Sequence, residues 1–387
     1  MLKIKTYNQI SAKGLDRFSR ERYEVSSDVP QPHAIMLRSH KLAEEDIVDG
    51  VQAIGRAGAG VNNVPLVHCT ERGIPVFNAP GANANAVKEL VLCSLLLASR
   101  GIVPGIEYAR TQQGTAQELD QRMEKEKKRF KGQEIAGKTL GVVGLGAIGS
   151  MVANAALSLG MKVIGYDPAL SVDAAWRLPS EVEKIEHLAA LFSKADYITL
   201  HLPVLDSTRN LIDTNALKSF KPDAVLLNFS RAEITSPAAI SKALDEGQLR
   251  AYICDFPHPD LQTNDKVIAM PHIGASTAEA EENCAFMVVD QLKDFLENGN
   301  IRNSVNFPAL ALERTGGIRL AITNTNVPKM LGYITSILAD AEINVLDLLN
   351  KSRADIAYNL IDVETAPATE VLDQLRAIEG VINVRLV

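Results

Sequence analysis

The sequence predicts an α/β protein with two doubly wound parallel-sheet domains, followed by a smaller ferredoxin-like βαββαβ module. Short apolar runs alternate with helical stretches over residues 1–78, which is typical of parallel β/α units. Continuous apolar runs separated by helices begin at residue 139, as in strands that are buried on both faces of a parallel sheet. After residue 317 the order changes to strand, helix, two strands, helix and strand.

Length and composition fit a protein of two or three globular domains. The chain has 387 residues, 46% of them hydrophobic, and a formal net charge of −7. The longest apolar run, residues 90–98, is too short to cross a bilayer, and the negative charge gives no general attraction to nucleic acid or anionic lipid. Because no secretory signal is evident, we expect a cytoplasmic protein that binds neither nucleic acid nor membranes. The four cysteines lack the spacing of a zinc site, so no metal is expected.

The first predicted domain is discontinuous and combines residues 1–86 with residues 270–310. Its strands are short apolar runs bounded by turn residues, at residues 3–7, 34–37, 51–55 and 75–78.

A long helix with one apolar face is predicted over residues 86–109. A strongly charged helical stretch follows over residues 112–131, and we interpret its charge run as a solvated face.

The second predicted domain covers residues 87–269 and contains the clearest strands of the sequence. They are residues 139–143, 162–166, 197–200, 224–228, 251–254 and 267–269. Beyond them, Ser276 and Glu279 have the spacing of a capping box. We therefore expect a helix to begin there and to run to about residue 296.

A glycine-rich motif marks a dinucleotide site. The sequence Gly144-Leu-Gly-Ala-Ile-Gly149 joins an apolar strand directly to a helix, so the glycines allow a tight turn and a close approach of the backbone to a pyrophosphate. Asp167 ends the next strand, where a carboxylate accepts ribose hydroxyls and repels a 2′-phosphate, and NAD is therefore favoured over NADP. The predicted contacts here are Gly144, Gly146, Ala147, Ile148, Gly149 and Asp167.

Three strand ends offer side chains suited to hydride-transfer chemistry. Oxidation of a 2-hydroxy acid needs a base for the hydroxyl proton and a cation for the carboxylate. Arg231 follows the fourth strand, Asp255 and Asp260 follow the fifth, and His272 follows Pro271. Because ligands of open α/β sheets bind at the carboxyl ends of strands, these residues are candidates for one active site.

Together these residues make the chain resemble the D-isomer-specific 2-hydroxyacid dehydrogenase family over nearly all of residues 1–310. The resemblance implies a Rossmann-like cofactor domain and a flavodoxin-like first domain. It assigns substrate binding to Arg231, acid–base catalysis to His272 and pairing with that histidine to Asp260, where the family usually has Glu. Asp255 matches a position near the nicotinamide.

Further contacts follow from the resemblance. Pro203, Thr208 and Gly274 are implied as cofactor contacts. In family members that act on a phosphorylated 2-hydroxy acid, backbone amides of the N-terminal segment bind the carboxylate and basic side chains meet the phosphate, for which Arg38 is the best candidate. The implied substrate contacts in that segment are Arg38, Ser39, Gly58, Ala59, Gly60 and Asn83.

Residues 317–387 resemble an ACT domain, a regulatory module that binds small ligands and is often attached to enzymes of amino-acid synthesis. Three asparagines, Asn324, Asn326 and Asn344, match positions that hold an amino-acid effector in related modules. Lys329 replaces a glycine there and a ligand-binding histidine is absent, so the module could instead assemble subunits. We expect a homodimer or a homotetramer.

Other functions remain open at this point. A glyoxylate or hydroxypyruvate reductase, or a 2-hydroxyglutarate-forming dehydrogenase, would belong to the same family, and rates on a panel of 2-hydroxy acids separate them. A non-catalytic NADH-sensing protein would share the fold. The presence of both Arg231 and His272 favours an enzyme.

Overall fold

The computed structural model describes residues 1–176, 178–314 and 316–387. They form two compact units, one made of Met1–Asn83 with Thr277–Val387 and the other of Ala84–Ser276. The first unit contains a five-stranded parallel sheet and a four-stranded antiparallel sheet, and the second contains a seven-stranded parallel sheet. The predicted fold class is therefore confirmed. The domain boundaries predicted at residues 86, 270 and 317 stay predictions.

The elements are numbered along the chain. The strands are β1 (Leu2–Thr6), β2 (Tyr23–Ser26), β3 (Ala34–Leu37), β4 (Ala53–Arg56), β5 (Val76–Phe77), β6 (Thr139–Val143), β7 (Lys162–Tyr166), β8 (Glu183–Lys184), β9 (Tyr197–Leu200), β10 (Ala224–Asn228), β11 (Leu249–Cys254), β12 (Val267–Ala269), β13 (Ile318–Thr325), β14 (Val345–Arg353), β15 (Ile356–Val363) and β16 (Val381–Leu386). The helices are α1 (Ala12–Leu15), α2 (Leu66–Glu71), α3 (Ala84–Ser99), α4 (Ile102–Thr111), α5 (Ala116–Glu126), α6 (Ala147–Ser158), α7 (Val172–Ala175), α8 (Leu188–Lys194), α9 (Thr214–Leu217), α10 (Pro237–Asp245), α11 (Ala278–Asn298), α12 (Met330–Asp340) and α13 (Thr369–Ala377). Short 3-10 turns cover Glu44–Asp46, Lys127–Phe130 and Ala232–Ile234.

Both parallel sheets have the strand orders of nucleotide-binding folds. The five-stranded sheet has the order β2-β1-β3-β4-β5, which is flavodoxin-like. The seven-stranded sheet has the order β12-β11-β10-β9-β6-β7-β8. The strands from β6 to β8 are therefore added in one direction across the sheet, and those from β9 to β12 in the opposite direction. Such a reversal opens a crevice at the carboxyl ends of the strands, where ligands of these folds bind.

Two short strands were not predicted. β2 has only one fully buried residue, Tyr23, and both residues of β8 are exposed. Neither strand therefore carries the continuous apolar run that identifies the central strands. In contrast, every residue of β9 and β10 is buried, and both were predicted with their observed bounds.

The single helix predicted over residues 86–109 is wrong, because the chain forms α3 and α4 instead. The carbonyl of Ser99 accepts the backbone N–H of Gln133 at 2.9 Å, which ends α3. Gly101 then packs against the backbone of Phe130, where an added Cβ would lie 2.9 Å from the Phe130 Cα. Among the described residues, no single helix is both long and apolar enough to span a membrane, although α3 and α4, which meet at 69°, satisfy those two criteria as a pair.

Helix α11 packs across the five-stranded sheet and begins one residue later than predicted. Its N-cap is Thr277, whose hydroxyl accepts the N–H of Ala280 at 3.1 Å, so the capping box predicted at Ser276 and Glu279 is wrong. Gly55 in β4 lets the helix approach closely, because a Cβ there would lie 2.4 Å from the Val288 side chain. The helix ends at Gly299 in the left-handed conformation.

The C-terminal module is βαββαβ, as predicted, with the strand order β14-β15-β13-β16. All residues of β15 are buried and those of β14 are intermediate or exposed, as expected for a central and an edge strand. The module also shares one hydrophobic cluster with the first sheet of its unit, in which Tyr358 and Leu360 pack with Phe77 and Phe295.

A buried ion pair fixes the module to the segment that precedes it. The guanidinium of Arg319 is fully buried and binds both carboxylate oxygens of Asp362, at 2.6 and 2.7 Å. It also donates to the carbonyls of Asn298, Leu312 and Glu313. The carbonyls of Leu312 and Glu313, between α11 and β13, are therefore held against the module by hydrogen bonds from a side chain.

Two further module side chains bind the C-terminal end of α11. The hydroxyl of Tyr358 donates to the carbonyl of Gly299 at 2.7 Å. The guanidinium of Arg385 lies 4.4 Å from the ring centroid of Phe295 and donates to the carbonyl of the same residue at 3.3 Å. The donors to Asn298 and Gly299 satisfy carbonyl groups that a helix end leaves without partners. Arg385 adds a second donor to the Phe295 carbonyl, which also accepts the N–H of Gly299.

Candidate active site

Six neighbouring strands of the seven-stranded sheet end in candidate functional residues. In spatial order from β12 to β7, the strand ends carry His272, Asp255, Arg231, His201, Gly144 and Asp167. Arg231, Asp255 and His272, three of the four residues predicted for hydride-transfer chemistry, therefore follow three adjacent strands. The residues predicted for the dinucleotide follow β6 and β7 on the other side of the reversal. The residues predicted for chemistry and those predicted for the dinucleotide therefore lie along the edge formed by the carboxyl ends of the strands.

The glycine loop has the shape needed for a pyrophosphate. Gly144 has a φ of +91°, and an added Cβ would lie 2.3 Å from the carbonyl oxygen of His201. A Cβ on Gly149 would lie 1.9 Å from the carbonyl oxygen of Gly144, so the first turn of α6 can approach the loop only without a side chain there. A Cβ on Gly146 would meet nothing within 4 Å, which leaves open space beside the N-terminus of α6.

Asp167 is positioned by the same loop. One carboxylate oxygen accepts the N–H of Leu145 and the other accepts that of Ala169, both at 2.9 Å. The remaining lone pairs of a carboxylate can still accept ribose hydroxyls. In the loop after β9, Thr208 donates its hydroxyl to the carbonyl of Pro203 at 2.7 Å, so these two predicted cofactor contacts stabilise one turn.

Asp255 holds the segment that carries His272. Its side chain is almost completely buried, and its two oxygens accept the backbone N–H groups of Ile273 at 2.8 Å and Gly274 at 2.7 Å. A Cβ on Gly274 would lie 2.9 Å from the carboxylate, so this contact requires a glycine. The family resemblance places Asp255 near the nicotinamide, but nothing in the sequence indicates that Asp255 supports the segment that carries His272.

His272 itself is exposed at the tip of the segment. Its φ is +57°, an unusual conformation for a residue with a side chain, and its N–H donates to the carbonyl of Met270 at 3.0 Å. The imidazole lies 5.1 Å from the ring centroid of Phe256. Non-glycine residues in this conformation persist where the surroundings fix them, here through Asp255.

The structure does not bring Asp260 to His272. Its carboxylate lies 3.7 Å from Nδ1 of His258, and its backbone N–H faces the same nitrogen at 3.3 Å. Among the described residues, Asp260 forms no ion pair with His272. The pairing implied by the family resemblance therefore stays a prediction.

Arg231 rests on a network of buried polar groups. Its guanidinium donates to the carbonyl of Ser230 at 2.6 Å, and Asn228 donates to the Arg231 carbonyl at 2.9 Å. The hydroxyl of Ser230 donates to the carbonyl of Leu200 and accepts the N–H of Leu202, which ties the ends of β10 and β9 together. We did not predict roles for Asn228 and Ser230, although two polar residues beside a buried apolar strand were a usable signal.

His201 is a further residue that the sequence did not single out. Burial lowers its pKa to about 3, so the ring is neutral at physiological pH. Its Nε2 lies 3.0 Å from the hydroxyl of Thr199, and its Nδ1 is buried without a partner among the described residues. The position at the end of β9, beside Gly144, was the available signal.

The predicted substrate residues of the N-terminal segment lie at the carboxyl edge of the five-stranded sheet. Arg38 follows β3 and forms an ion pair with Glu281 at 2.7 Å. Arg56 ends β4, donates to the Arg38 carbonyl at 3.0 Å and lies over Gly58. Asn78 follows β5 and donates to the carbonyl of Ala59 at 2.6 Å. Ser39, Gly60 and Asn83 lie in the same three loops.

The asparagines predicted for an effector already bind protein groups. Asn324 is buried, donates to the Thr325 carbonyl and accepts from Asn359, both at 2.7 Å. Asn326 and Asn344 donate to the Ala354 carbonyl and to Glu364. Lys329 adopts a φ of +76° where related modules have glycine.

No group of three or more His, Cys, Asp or Glu residues in the described part of the chain is arranged to hold a metal ion.

Comparison with known proteins decides the family. Residues 94–274 match the family described as D-isomer specific 2-hydroxyacid dehydrogenase, NAD binding domain. The chain is 33% identical to D-3-phosphoglycerate dehydrogenase of Haemophilus influenzae over 379 residues, which cover 94% of this chain and 88% of the relative. The chain belongs to the D-isomer specific 2-hydroxyacid dehydrogenase family.

A second relative and a solved structure support the same family. D-3-phosphoglycerate dehydrogenase of Escherichia coli K12 is 32% identical over 94% of this chain and 88% of its own. The crystal structure of NAD⁺-bound 3-phosphoglycerate dehydrogenase of Entamoeba histolytica superposes with a TM-score of 0.62 at 26% identity, over 80% of this chain and 99% of that chain. This dehydrogenase is thus an NAD-dependent enzyme and a homologue of D-3-phosphoglycerate dehydrogenases, with NAD as its cofactor.

Proposed function

We propose that this enzyme oxidises 3-phospho-D-glycerate to 3-phosphohydroxypyruvate with NAD, the first step of L-serine biosynthesis. The proposal rests above all on the order of the strand ends, which puts His272, Asp255 and Arg231 beside the loops suited to the dinucleotide. The names of the two relatives described above support the choice of substrate.

The cofactor would be held by loops at the carboxyl ends of neighbouring strands. The open space at Gly146 and the N-terminus of α6 suit the pyrophosphate, and Asp167 suits a ribose diol. Thr208, Pro203 and Gly274 would complete the contacts. When bound, NAD supplies the nicotinamide that accepts the hydride from C2.

The chain's own residues supply the remaining chemistry. Arg231 binds the substrate carboxylate and the C2 oxygen, because a guanidinium offers parallel N–H donors to two oxygens. His272 accepts the proton of the C2 hydroxyl, so that the C2 carbonyl forms as the hydride leaves. Asp255 keeps the His272 segment in place. Asp260 is proposed to join His272 when substrate binds, by movement away from His258.

The phosphate is assigned to the N-terminal segment. Arg38 would meet the phosphate, and the backbone N–H groups of Gly58–Gly60 would meet the carboxylate. Arg56 adds positive charge to the same edge. The ion pair between Arg38 and Glu281 is partly exposed, so an incoming phosphate competes for the guanidinium at low cost.

The decisive experiment is NAD reduction with 3-phospho-D-glycerate compared with D-glycerate. We expect a much higher kcat/KM for the phosphorylated acid. Equal rates would favour a reductase of glyoxylate or hydroxypyruvate or a 2-hydroxyglutarate-forming enzyme, which the same assay tests with their own substrates. Tight NADH binding without turnover of any acid would favour an NADH-sensing protein.

Variants test the assigned roles. His272→Ala should lower kcat by about 100- to 10,000-fold and leave NADH binding nearly intact. His187→Ala, at an exposed position, should leave both kcat and NADH binding unchanged. Arg231→Lys should lower kcat/KM by about 100-fold, because a lysine cannot bind two oxygens in parallel. Full activity of His272→Ala would contradict the mechanism. The amino-acid effector, a homodimeric or homotetrameric state and a cytoplasmic location stay predictions.

A further inference from the structure

The first turns of α11 carry three glutamates that have different partners. Glu282 binds the ammonium of Lys13 at 2.7 Å, and the hydrogen bond and charge of Glu282, with a smaller effect of Glu279, raise the pKa of that lysine. Glu281 points about 100° away from Glu282 around the helix axis. Its carboxylate binds the guanidinium of Arg38 at 2.7 Å. One of the three glutamates therefore faces the edge that carries the predicted substrate residues.

Three charges meet beside Cys284, which lies one turn after Glu281 on the same helix. Burial raises the pKa of the Cys284 thiol, Arg56 and Arg38 lower it, and Glu281 raises it. Because exposed charges are largely screened beyond about 8–10 Å, both guanidinium groups and the carboxylate lie close to one point of the first unit. Glu281 therefore cancels part of the positive charge at this edge.

The ion pair between Arg38 and Glu281 can open without disturbing the loop that carries Arg38. The two side chains are 36% and 40% exposed, so each is hydrated when the other leaves. The released carboxylate stays in the first turn of α11, where the partial positive charge of the helix N-terminus favours it. The Arg38 carbonyl accepts hydrogen bonds from the side chains of Arg56 and Asn63, both at 3.0 Å, which hold the loop independently of the ion pair.

We propose that Glu281 is an internal competitor for Arg38, which exchanges with the phosphate of the substrate and of the product. The proposal rests on the proposed function, in which Arg38 meets that phosphate. As the phosphorylated acid binds, its phosphate takes the place of the Glu281 carboxylate, which turns to solvent. As the product leaves, the ion pair forms again. Glu281 acts through Arg38 and is a positioning residue, not a catalytic one.

The competition weakens the binding of substrate and product to a similar degree, because both carry the same phosphate. An interaction that is equally strong in the substrate complex and in the transition state changes KM and leaves the chemical step as it is. The role of Glu281 is therefore to keep the KM for phosphorylated acids high and to help the product leave. Its removal should lower KM without raising kcat.

The test is steady-state kinetics of Glu281→Gln, which keeps the size of the side chain and removes its charge. The KM for 3-phospho-D-glycerate and the inhibition constant of inorganic phosphate should each fall by about three- to tenfold. The KM for D-glycerate, which carries no phosphate, should stay the same. A purely structural role of the ion pair would not separate the two acids in this way.

Two further variants control for other effects of the substitution. Glu282→Gln removes the neighbouring glutamate of the same helix together with its ion pair to Lys13, and should leave all three constants unchanged. In an Arg38→Met background, Glu281→Gln should have a smaller effect than in the unaltered enzyme, because its action passes through Arg38. Equal effects in both backgrounds would contradict competition at Arg38.

The outcomes separate this inference from the proposed function. An unchanged KM for 3-phospho-D-glycerate in Glu281→Gln would overturn the competition, and a higher KM would show that the carboxylate orients Arg38 for the substrate. Either result leaves the proposed function intact if the unaltered enzyme prefers the phosphorylated acid. Equal kcat/KM for 3-phospho-D-glycerate and D-glycerate in the unaltered enzyme would contradict both.

Discussion

The carboxylate of Asp255 accepts the backbone N–H of Gly274 at 2.7 Å, and its second oxygen binds the N–H of the preceding residue. Both oxygens of a carboxylate are acceptors, and hydrogen bonds to a charged carboxylate are stronger than those between neutral groups. The strand end of β11 thus fixes the segment that presents His272. A residue expected to contact the cofactor also supports the segment that carries the proposed catalytic base.

Replacement of Asp255 by Asn should therefore impair catalysis more than folding. An amide offers one acceptor and turns an N–H group toward the second backbone donor, so at least one bond is lost at about 1.5–3 kcal/mol. We expect kcat/KM to fall by about 10- to 100-fold and the pH profile to change, because the position of His272 becomes less defined. Steady-state kinetics across pH checks this. Asp265→Asn, at an exposed position before β12, is the control, and an unchanged kcat/KM in Asp255→Asn would contradict the role.

Asp167 should determine the choice of cofactor. A carboxylate in this position repels the 2′-phosphate of NADP. Asp167→Ser removes that repulsion and should lower the preference for NAD over NADP by at least about tenfold, mainly through a tighter binding of NADPH. Fluorescence titration with NADH and NADPH measures the ratio. If the ratio stays as in the unaltered protein, Asp167 does not select the cofactor.

His201 should make the protein less stable in weak acid. Burial lowers its pKa in the folded protein to about 3, whereas the pKa of a solvated histidine is 6.5. Below about pH 6.5 the unfolded chain binds a proton that the folded protein excludes, so the free energy of unfolding falls as the pH decreases toward 3.

His201→Gln removes this proton linkage. Urea unfolding at pH 7 and at about pH 4.5 should show a smaller loss of stability in the variant than in the unaltered protein. His187→Gln, at an exposed histidine, should behave like the unaltered protein. An identical loss in His201→Gln would show that this histidine accepts a proton in the folded state.

Arg319 should be essential for the stability of its unit. Arg319→Met leaves Asp362 buried without its partner and removes the donors to three carbonyl groups, which we expect to cost about 3–5 kcal/mol in the free energy of unfolding. Urea unfolding measures this change. Arg376→Met, which removes an exposed ion pair with Asp373, should cost less than about 1 kcal/mol. Similar costs for the two variants would contradict the importance of the buried pair.

The sequence predicts much of the fold because the central strands are continuous apolar runs. β6, β9 and β10 have their predicted bounds, and the loop from Gly144 to Gly149 lies where the motif indicates. Strand ends that follow such runs also identify Arg231 and His272. The local sequence pattern is sufficient to predict a strand that is buried on both faces, because few other structures accept a continuous apolar run of that length.

The remaining features depend on contacts between distant parts of the chain. The break between α3 and α4 is set by packing of Gly101 against Phe130, which no helical periodicity reveals. The support of His272 by Asp255 requires a hydrogen bond across 19 positions. The partner of Asp260 likewise depends on how its loop folds, and here that partner is His258.

The buried bonds that Arg319, Tyr358 and Arg385 make to the end of α11 have a consequence for how such enzymes diversify. A regulatory segment joined by a loose connector can be exchanged by recombination without harm to the catalytic part. Here a cut before β13 would strip donors from a helix terminus and expose Phe295 and Phe307 to water. A form of this chain without the module would therefore need other residues at the end of α11 and in the cluster that contains Phe295 and Phe307.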